Sequence, residues 1–198
     1  MASPHTRDDM RAVICEMPEE WLAERRMTGA DCRDEVWDGV LHVSPQPTTI
    51  HQGLGSKLLD ALKAAADARG WLRFYETSVY GPSSARKNYR VPDLLVVAPE
   101  HVAERGIEGR AELVVELLSP DDESRDKLPF YAQCGIPEVW LIEPETRVPE
   151  VYVLRGTAYF AVAADARGVL HAPALGLELS VSAGPKLCVA WQGGSVEI

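Results

Sequence analysis

A chain of 198 residues, 46% of them hydrophobic, fits one compact domain; no apolar stretch approaches the roughly 20 residues that span a bilayer, and the N-terminus lacks the apolar core of a signal peptide. The four cysteines (Cys15, Cys32, Cys134, Cys188) are far apart with no CxxC pair, which argues against a zinc site or a disulfide framework and fits a reducing cytoplasmic setting without membrane contact. The net charge of −10 argues against a broad basic face for nucleic acid, so any phosphate-handling site must gather its cations locally.

Residues 1–16 read as an N-terminal extension and 17–198 as a single domain, without repeats or a dividing linker. Residues 17–26 form a short amphipathic helix, with Pro18 near its start and Glu19 and Glu20 suiting its positive end. Residues 35–43 predict a hairpin, because Asp38-Gly39 is a turn pair between β-formers. Pro45-Gln46-Pro47 imposes a loop. Residues 51–69 carry a helical stripe of Leu54, Leu58, Leu59, Leu62 and Ala65 or Ala66, and Gly70 ends it. Residues 71–80 alternate as one strand, and 81–90 form a polar connection. Two short apolar runs follow, 91–97 and 112–118, with the character of strands buried on both faces. Ser119-Pro120-Asp121-Asp122-Glu123-Ser124 signals a turn and a helix start. A helix over 125–134 follows, stopped by Gly135 and Pro137, with Pro129 tolerable near its first turn. Further strands are expected at 139–142, 151–154, 159–163, 177–179 and 187–191. This order specifies an α/β domain, a mixed β-sheet core flanked by helices.

Each apolar run contains a carboxylate, Asp93 in the first and Glu116 in the second. An ionised carboxylate in such a place is costly unless positive charge shares it. Two of them on strands that could be neighbours suggest a divalent cation. Cleaving a phosphodiester needs an activated water and a way to absorb charge on the phosphate and the leaving oxygen. Magnesium does both, prefers oxygen ligands and retains waters, with manganese as its usual substitute. Asp93, Glu116 and the backbone carbonyl of Leu117 make such an incomplete shell, and Lys127 close behind is placed to orient the water or offset charge.

Several blocks around these residues resemble a known family. They are Glu35-Val36-Trp37-Asp38-Gly39-Val40-Leu41; Ser44-Pro45 followed by His51; Val91-Pro92-Asp93-Leu94-Leu95-Val96-Val97; Glu112-Leu113-Val114-Val115-Glu116-Leu117-Leu118-Ser119-Pro120; and the run from Asp126-Lys127-Leu128-Pro129-Phe130-Tyr131 to Gly135-Ile136-Pro137-Glu138-Val139-Trp140-Leu141-Ile142. In this order they are similar to the Uma-type family of restriction endonucleases, once catalogued as a domain of unknown function, within the PD-(D/E)XK nuclease superfamily. The resemblance implies a restriction-endonuclease-like fold, a magnesium site at Asp93 and Glu116, and hydrolysis of DNA. The wider superfamily places lysine two residues after the glutamate, where this chain has Leu118. Relatives that supply the basic group from the following helix assign that role to Lys127.

Simpler accounts compete at each position. Asp93 can cap a turn; Glu116 can pair structurally with Arg90 or Arg125; Lys127 can be a solvated helix lysine. Arg86, Lys87 and Arg90 can grip phosphates or form a solvated loop. His51 can line the site or merely open a helix, and Glu35 can reach the site or be an exposed strand carboxylate. Gly53-Leu54-Gly55-Ser56-Lys57 lacks phosphate-loop spacing and lies within the helical stripe. The five histidines show no HxH or HxxxH spacing. The leading expectation is a magnesium-dependent DNA endonuclease, a homodimer because cutting both strands takes two sites. Asp93 and Glu116 hold the metal, Lys127 assists the water, and Tyr131 lines the pocket. The competing expectation is a catalytically weak or inactive nuclease fold serving as a binding or regulatory module.

Overall fold

A computed structural model describes residues 18–44, 46–82, 88–119 and 123–198. The chain divides into two compact units, Met1–Cys32 and Arg33–Ile198. The first contains helix α1 (Glu19–Thr28), with acidic residues in its first turn, Arg25 and Arg26 in its last, and Gly29 at φ +69° closing it.

In the second unit, β1 (Glu35–Trp37) and β2 (Val40–His42) form the expected hairpin. Its turn residues Asp38 and Gly39 have φ of +48° and +91°, as a two-residue primed turn requires. Helix α2 (Thr49–Ala61) starts two residues before the apolar stripe, because the Thr48 hydroxyl accepts the His51 N–H at 3.2 Å. Helix α3 (Lys63–Asp67) continues it. Gly55 packs against the next strand: a Cβ there would lie 2.7 Å from the Tyr75 ring. Gly55 thus serves helix packing, and Gly53, within the same helix, faces open space.

The segment expected as one strand over 71–80 is two, β3 (Leu72–Tyr75) and β4 (Val79–Tyr80). It breaks at Glu76, which adopts φ +45° and donates its N–H to the Asp93 carbonyl at 3.0 Å. After β5 (Tyr89–Arg90) come β6 (Leu94–Val97), β7 (Val102–Ala103), β8 (Gly106–Glu108) and β9 (Leu113–Leu117). A 3₁₀ turn, Ser124–Lys127, leads into α4 (Leu128–Gln133), with Pro129 in its first turn as expected and Gly135 at φ +70° after it. The remaining strands are β10 (Glu138–Ile142), β11 (Pro149–Arg155), β12 (Ala158–Ala161), β13 (Leu170–Ala172), β14 (Leu177–Ser182), β15 (Lys186–Trp191) and β16 (Gly194–Glu197).

The α/β class and the mixed-sheet core are as expected, and two further sheets accompany that core. The central sheet has order β12-β11-β10-β9-β6-β3, parallel only between β9 and β10. The break at Glu76 sends β4 into a second sheet, β2-β1-β5-β4-β8-β7, and the C-terminal strands form a third, β13-β14-β15-β16. Both faces of the central sheet are buried. Leu94, Val96, Leu113, Val115 and Leu117 pack with Leu54, Leu58 and Leu62 of α2–α3 and with Leu177, Leu179, Leu187 and Val189 of the third sheet. Leu95, Val97 and Val114 pack the other way, against Phe130, Tyr131 and Ile136. Period-two alternation with apolar residues at both phases explains why these strands read as unbroken apolar runs.

Candidate active site

Strands β6 and β9 are antiparallel neighbours, with Leu94 opposite Val115. One residue further along this register, Asp93 faces Glu116 on the α4 side of the sheet. Asp93 Oδ2 accepts the Leu117 N–H at 2.7 Å, which ties the aspartate to the end of β9.

Glu116 is buried, and its partners come from the turn and helix that follow. The Lys127 ammonium lies 3.2 Å from each of its carboxylate oxygens, and the Tyr131 hydroxyl donates to Oε1. Lys127 also reaches Glu35 Oε1 at 2.9 Å, bridging two carboxylates. Glu35 is buried rather than the exposed strand carboxylate of the simpler account, because Val91 N and Trp37 Nε1 donate to it at 2.8 and 2.7 Å. Burial pushes the Glu116 carboxyl up to about 8, helped by the charges of Asp93 and Glu35 and opposed by Lys127. Burial works against the Lys127 ammonium too, but Glu116 and Glu35 outweigh it and hold its pKa above the ordinary lysine value. Lys127 is therefore neither solvated nor free. Arg125 is engaged with Glu150 instead of Glu116.

His51 stands beside Asp93, with Nε2 3.3 Å from Oδ1. Burial disfavours its charged form, but Asp93, the Leu117 backbone and Glu76 raise its pKa above the ordinary value. Its Nδ1 is buried with no hydrogen-bond partner among the described residues. Such an orphan at a cleft wall marks room for a water or a ligand group. Glu76, at the strained break, accepts from Gln52 Nε2 at 3.2 Å and has Arg33 at 3.7 Å.

These groups open into a cleft of about 750 Å³. Asp93, Glu116, Glu35, Lys127 and His51 line it together with Trp37 and His42 of the hairpin. Glu76, Glu123, Glu143 and Glu145 add further carboxylates, whereas Arg33 and Lys127 are the lysine and arginine side chains among its described lining residues. Carboxylates outnumber these cations among the described residues of the cleft.

Other candidates fall elsewhere. Arg90 is turned into the protein, its guanidinium 4.3 Å from the Trp37 ring centre and 4.2 Å from that of Phe130, donating to the Val36 carbonyl at 3.0 Å. It packs the hairpin against α4 and does not line the cleft. Tyr131 does not line it either: it is fully buried and supports Glu116 from behind. Arg86 and Lys87 lie outside the described residues, as do 1–16, Pro45 and the Pro120-Asp121-Asp122 part of the turn. The sequence reading missed Glu76 and a His42–Glu123 contact of 2.8 Å. The Glu76 break carried no signal, because the residue is not glycine.

The profile of the Uma2 family, described as putative restriction endonucleases, matches residues 19–182. The chain belongs to the Uma2 family. Its fold is similar to that in the crystal structure of a putative nuclease belonging to DUF820 from Anabaena variabilis, with a TM-score of 0.56 and 19% identity over 72% of this chain and 83% of that one. No curated protein matches the chain. The Uma2 match supports a nuclease, and the structural likeness gives a nuclease fold.

Among the described residues no three His, Cys, Asp or Glu side chains are grouped to cage a metal ion. The donor set nevertheless suits a hard cation that keeps most of its waters: two opposed carboxylates, with a third close by and one ammonium between them. Burial and the like charges of Asp93 and Glu35 raise the Glu116 pKa, and a divalent cation would offset that repulsion.

Proposed function

We propose that the cleft is the active site of a divalent-cation-dependent endonuclease that hydrolyses DNA phosphodiester bonds through a PD-(D/E)XK-like arrangement. The observation that carries this reading is the meeting of Asp93 and Glu116 across β6 and β9, with Lys127 on Glu116. Asp93, Glu116 and the Leu117 carbonyl would hold magnesium, or manganese in its place. When bound, the cation would supply charge to the phosphate and lower the pKa of a water.

The chain's own groups do the rest. Tyr131 and Lys127 fix both oxygens of Glu116, so the carboxylate needs no reorganisation when substrate arrives. Lys127, held between Glu116 and Glu35, presents its ammonium where an attacking water and a charged phosphate oxygen would meet. The Leu117 N–H and His51 orient Asp93. Leu118, in the superfamily lysine position, is partly buried against the apolar core on the α4 side, and Lys127 takes over its part. The same reading takes the protein to be a cytoplasmic homodimer, one site per strand.

The acidic cleft favours a second reading, a nuclease fold that binds or regulates without cutting. Incubation with single-stranded, duplex and branched DNA in magnesium or manganese separates the two. Cleavage by wild type and its loss in Asp93→Ala is the expected result. No cleavage in either metal, together with no binding at low salt, would remove the nuclease reading.

A further inference from the structure

The strand order β2-β1-β5, with Glu35 opposite His42, Trp37 opposite Val40 and Val36 opposite Tyr89, puts His42, Trp37 and Arg90 on one face of three adjacent strands. Their side chains form a row. The His42 imidazole stacks on Trp37 with centres 4.2 Å apart and planes at 14°, and Arg90 lies over the Trp37 ring at 4.3 Å. The inner end of the row is closed by Phe130. The outer end, His42, borders the cleft and keeps 28% of its side chain exposed. Glu123 Oε2, 2.8 Å from Nδ1, fixes the ring along its edge. The imidazole is thus held by one face and one edge before any ligand arrives, and ordering it costs a ligand little.

The row is next to the candidate chemistry. Glu35, directly across the hairpin from His42, touches Lys127, which touches Glu116. Among the described lining residues of the cleft, Arg33 and Lys127 are too few cations to bind a nucleic-acid strand by its phosphates alone. Affinity must therefore draw on the bases. Aromatic side chains supply it by stacking, whatever the sequence, and the half-exposed Val43 and Ile50 give the same cleft an apolar wall.

We propose that His42, backed by Trp37, is a stacking platform for an unpaired nucleobase beside the phosphate to be cut, so that the substrate class is nucleic acid with an unpaired or everted base. The proposal rests on the nuclease reading. The test is binding of a short fluorescent DNA strand by anisotropy, with calcium in place of magnesium to slow cleavage, for wild type, His42→Ala and His42→Phe. His42→Ala weakens binding roughly 5- to 150-fold, the range for losing one stacked base. His42→Phe, which can stack but carries no imidazole nitrogen, stays within about threefold of wild type. A strand with one abasic position, scanned along its length against intact wild type, shows the same loss at a single position, and this readout holds even where His42→Ala folds poorly. A perfectly paired duplex binds wild type more weakly than the same strand unpaired. Unchanged binding in His42→Ala, a His42→Phe loss as large as that of His42→Ala, or an abasic scan with no sensitive position would overturn the platform. If DNA is cut and His42→Ala changes nothing, stacking alone fails. If His42 dependence persists without cleavage, the nuclease reading alone fails. Wild type that binds no nucleic acid sinks both.

Discussion

Two buried glutamates on neighbouring strands of the central sheet show how differently a carboxylate can be accommodated. Glu138 on β10 accepts from Trp140 Nε1 at 2.7 Å and Ala174 N at 2.9 Å. Burial raises its pKa and the two neutral donors pull the other way. It acts as a staple between the central sheet and the β13–β14 connection of the C-terminal sheet. Glu116 on β9 is buried as deeply, yet its neighbours are an ammonium, a phenol and two further carboxylates. Glu138 is satisfied within the fold, whereas Glu116 sits in a cluster short of positive charge. An excess of like charge beside an open cleft marks Glu116, and not Glu138, as the candidate functional carboxylate.

The largest expected effects come from breaking the charged side of this comparison. Asp93→Ala and Lys127→Ala should each lower DNA cleavage by on the order of 10²–10³-fold or more, measured as single-turnover rates with far-UV circular dichroism as the folding control. Next, Glu116→Gln and Glu138→Ala should separate activity from stability. Glu116→Gln loses cleavage but leaves the metal-free protein at least as stable at pH 8, because a repelled buried charge has been removed. Glu138→Ala keeps the activity per folded molecule but loses roughly 2–5 kcal/mol of stability in urea melts, since the buried Trp140 and half-buried Ala174 N–H groups lose their acceptor.

The pH dependence should sharpen the contrast. A folded-state pKa raised from 4.5 to about 8 at Glu116 gives stability that is fully present below about pH 4.5 and lost as pH rises through 8. Glu138 contributes in the same direction. In chelator the melting temperature should therefore fall between about pH 5 and 8. Magnesium should restore it more at pH 8 than at pH 5, and only where Glu116 is present. The smallest effect is expected at Tyr131→Phe, which removes one donor from Glu116 and should slow cleavage about 10–100-fold with little change in fold; no change would mean that Lys127 alone orients the carboxylate.

Asp93, Glu116 and Lys127 were legible in the sequence because a charge inside a β-branched apolar run is conspicuous and neighbouring blocks followed the order of a known family. Glu35 was harder. Its burial depends on Val91 and Lys127, partners 56 and 92 residues away, while locally Glu35-Val36-Trp37 alternates as an edge strand would. Arg90 reads in sequence as a phosphate-gripping residue, part of a solvated loop or a partner of Glu116. Only the packing of the hairpin against α4 shows its guanidinium between two rings. Much of the C-terminal sheet was also hidden, since β13 and β16 are short and half-exposed and gain their place by pairing with β14 and β15. The break at Glu76 had no local signature, because it is set by a backbone contact to Asp93 across the sheet end.

Calorimetric titration of magnesium and manganese into wild type, Asp93→Ala and Glu138→Gln tests the central claim most directly, because it needs no substrate and no turnover. Wild type and Glu138→Gln should bind the cations alike, and Asp93→Ala should lose the binding. Equal binding by all three proteins, or no binding by wild type at pH 8, would contradict a metal centre at Asp93 and Glu116.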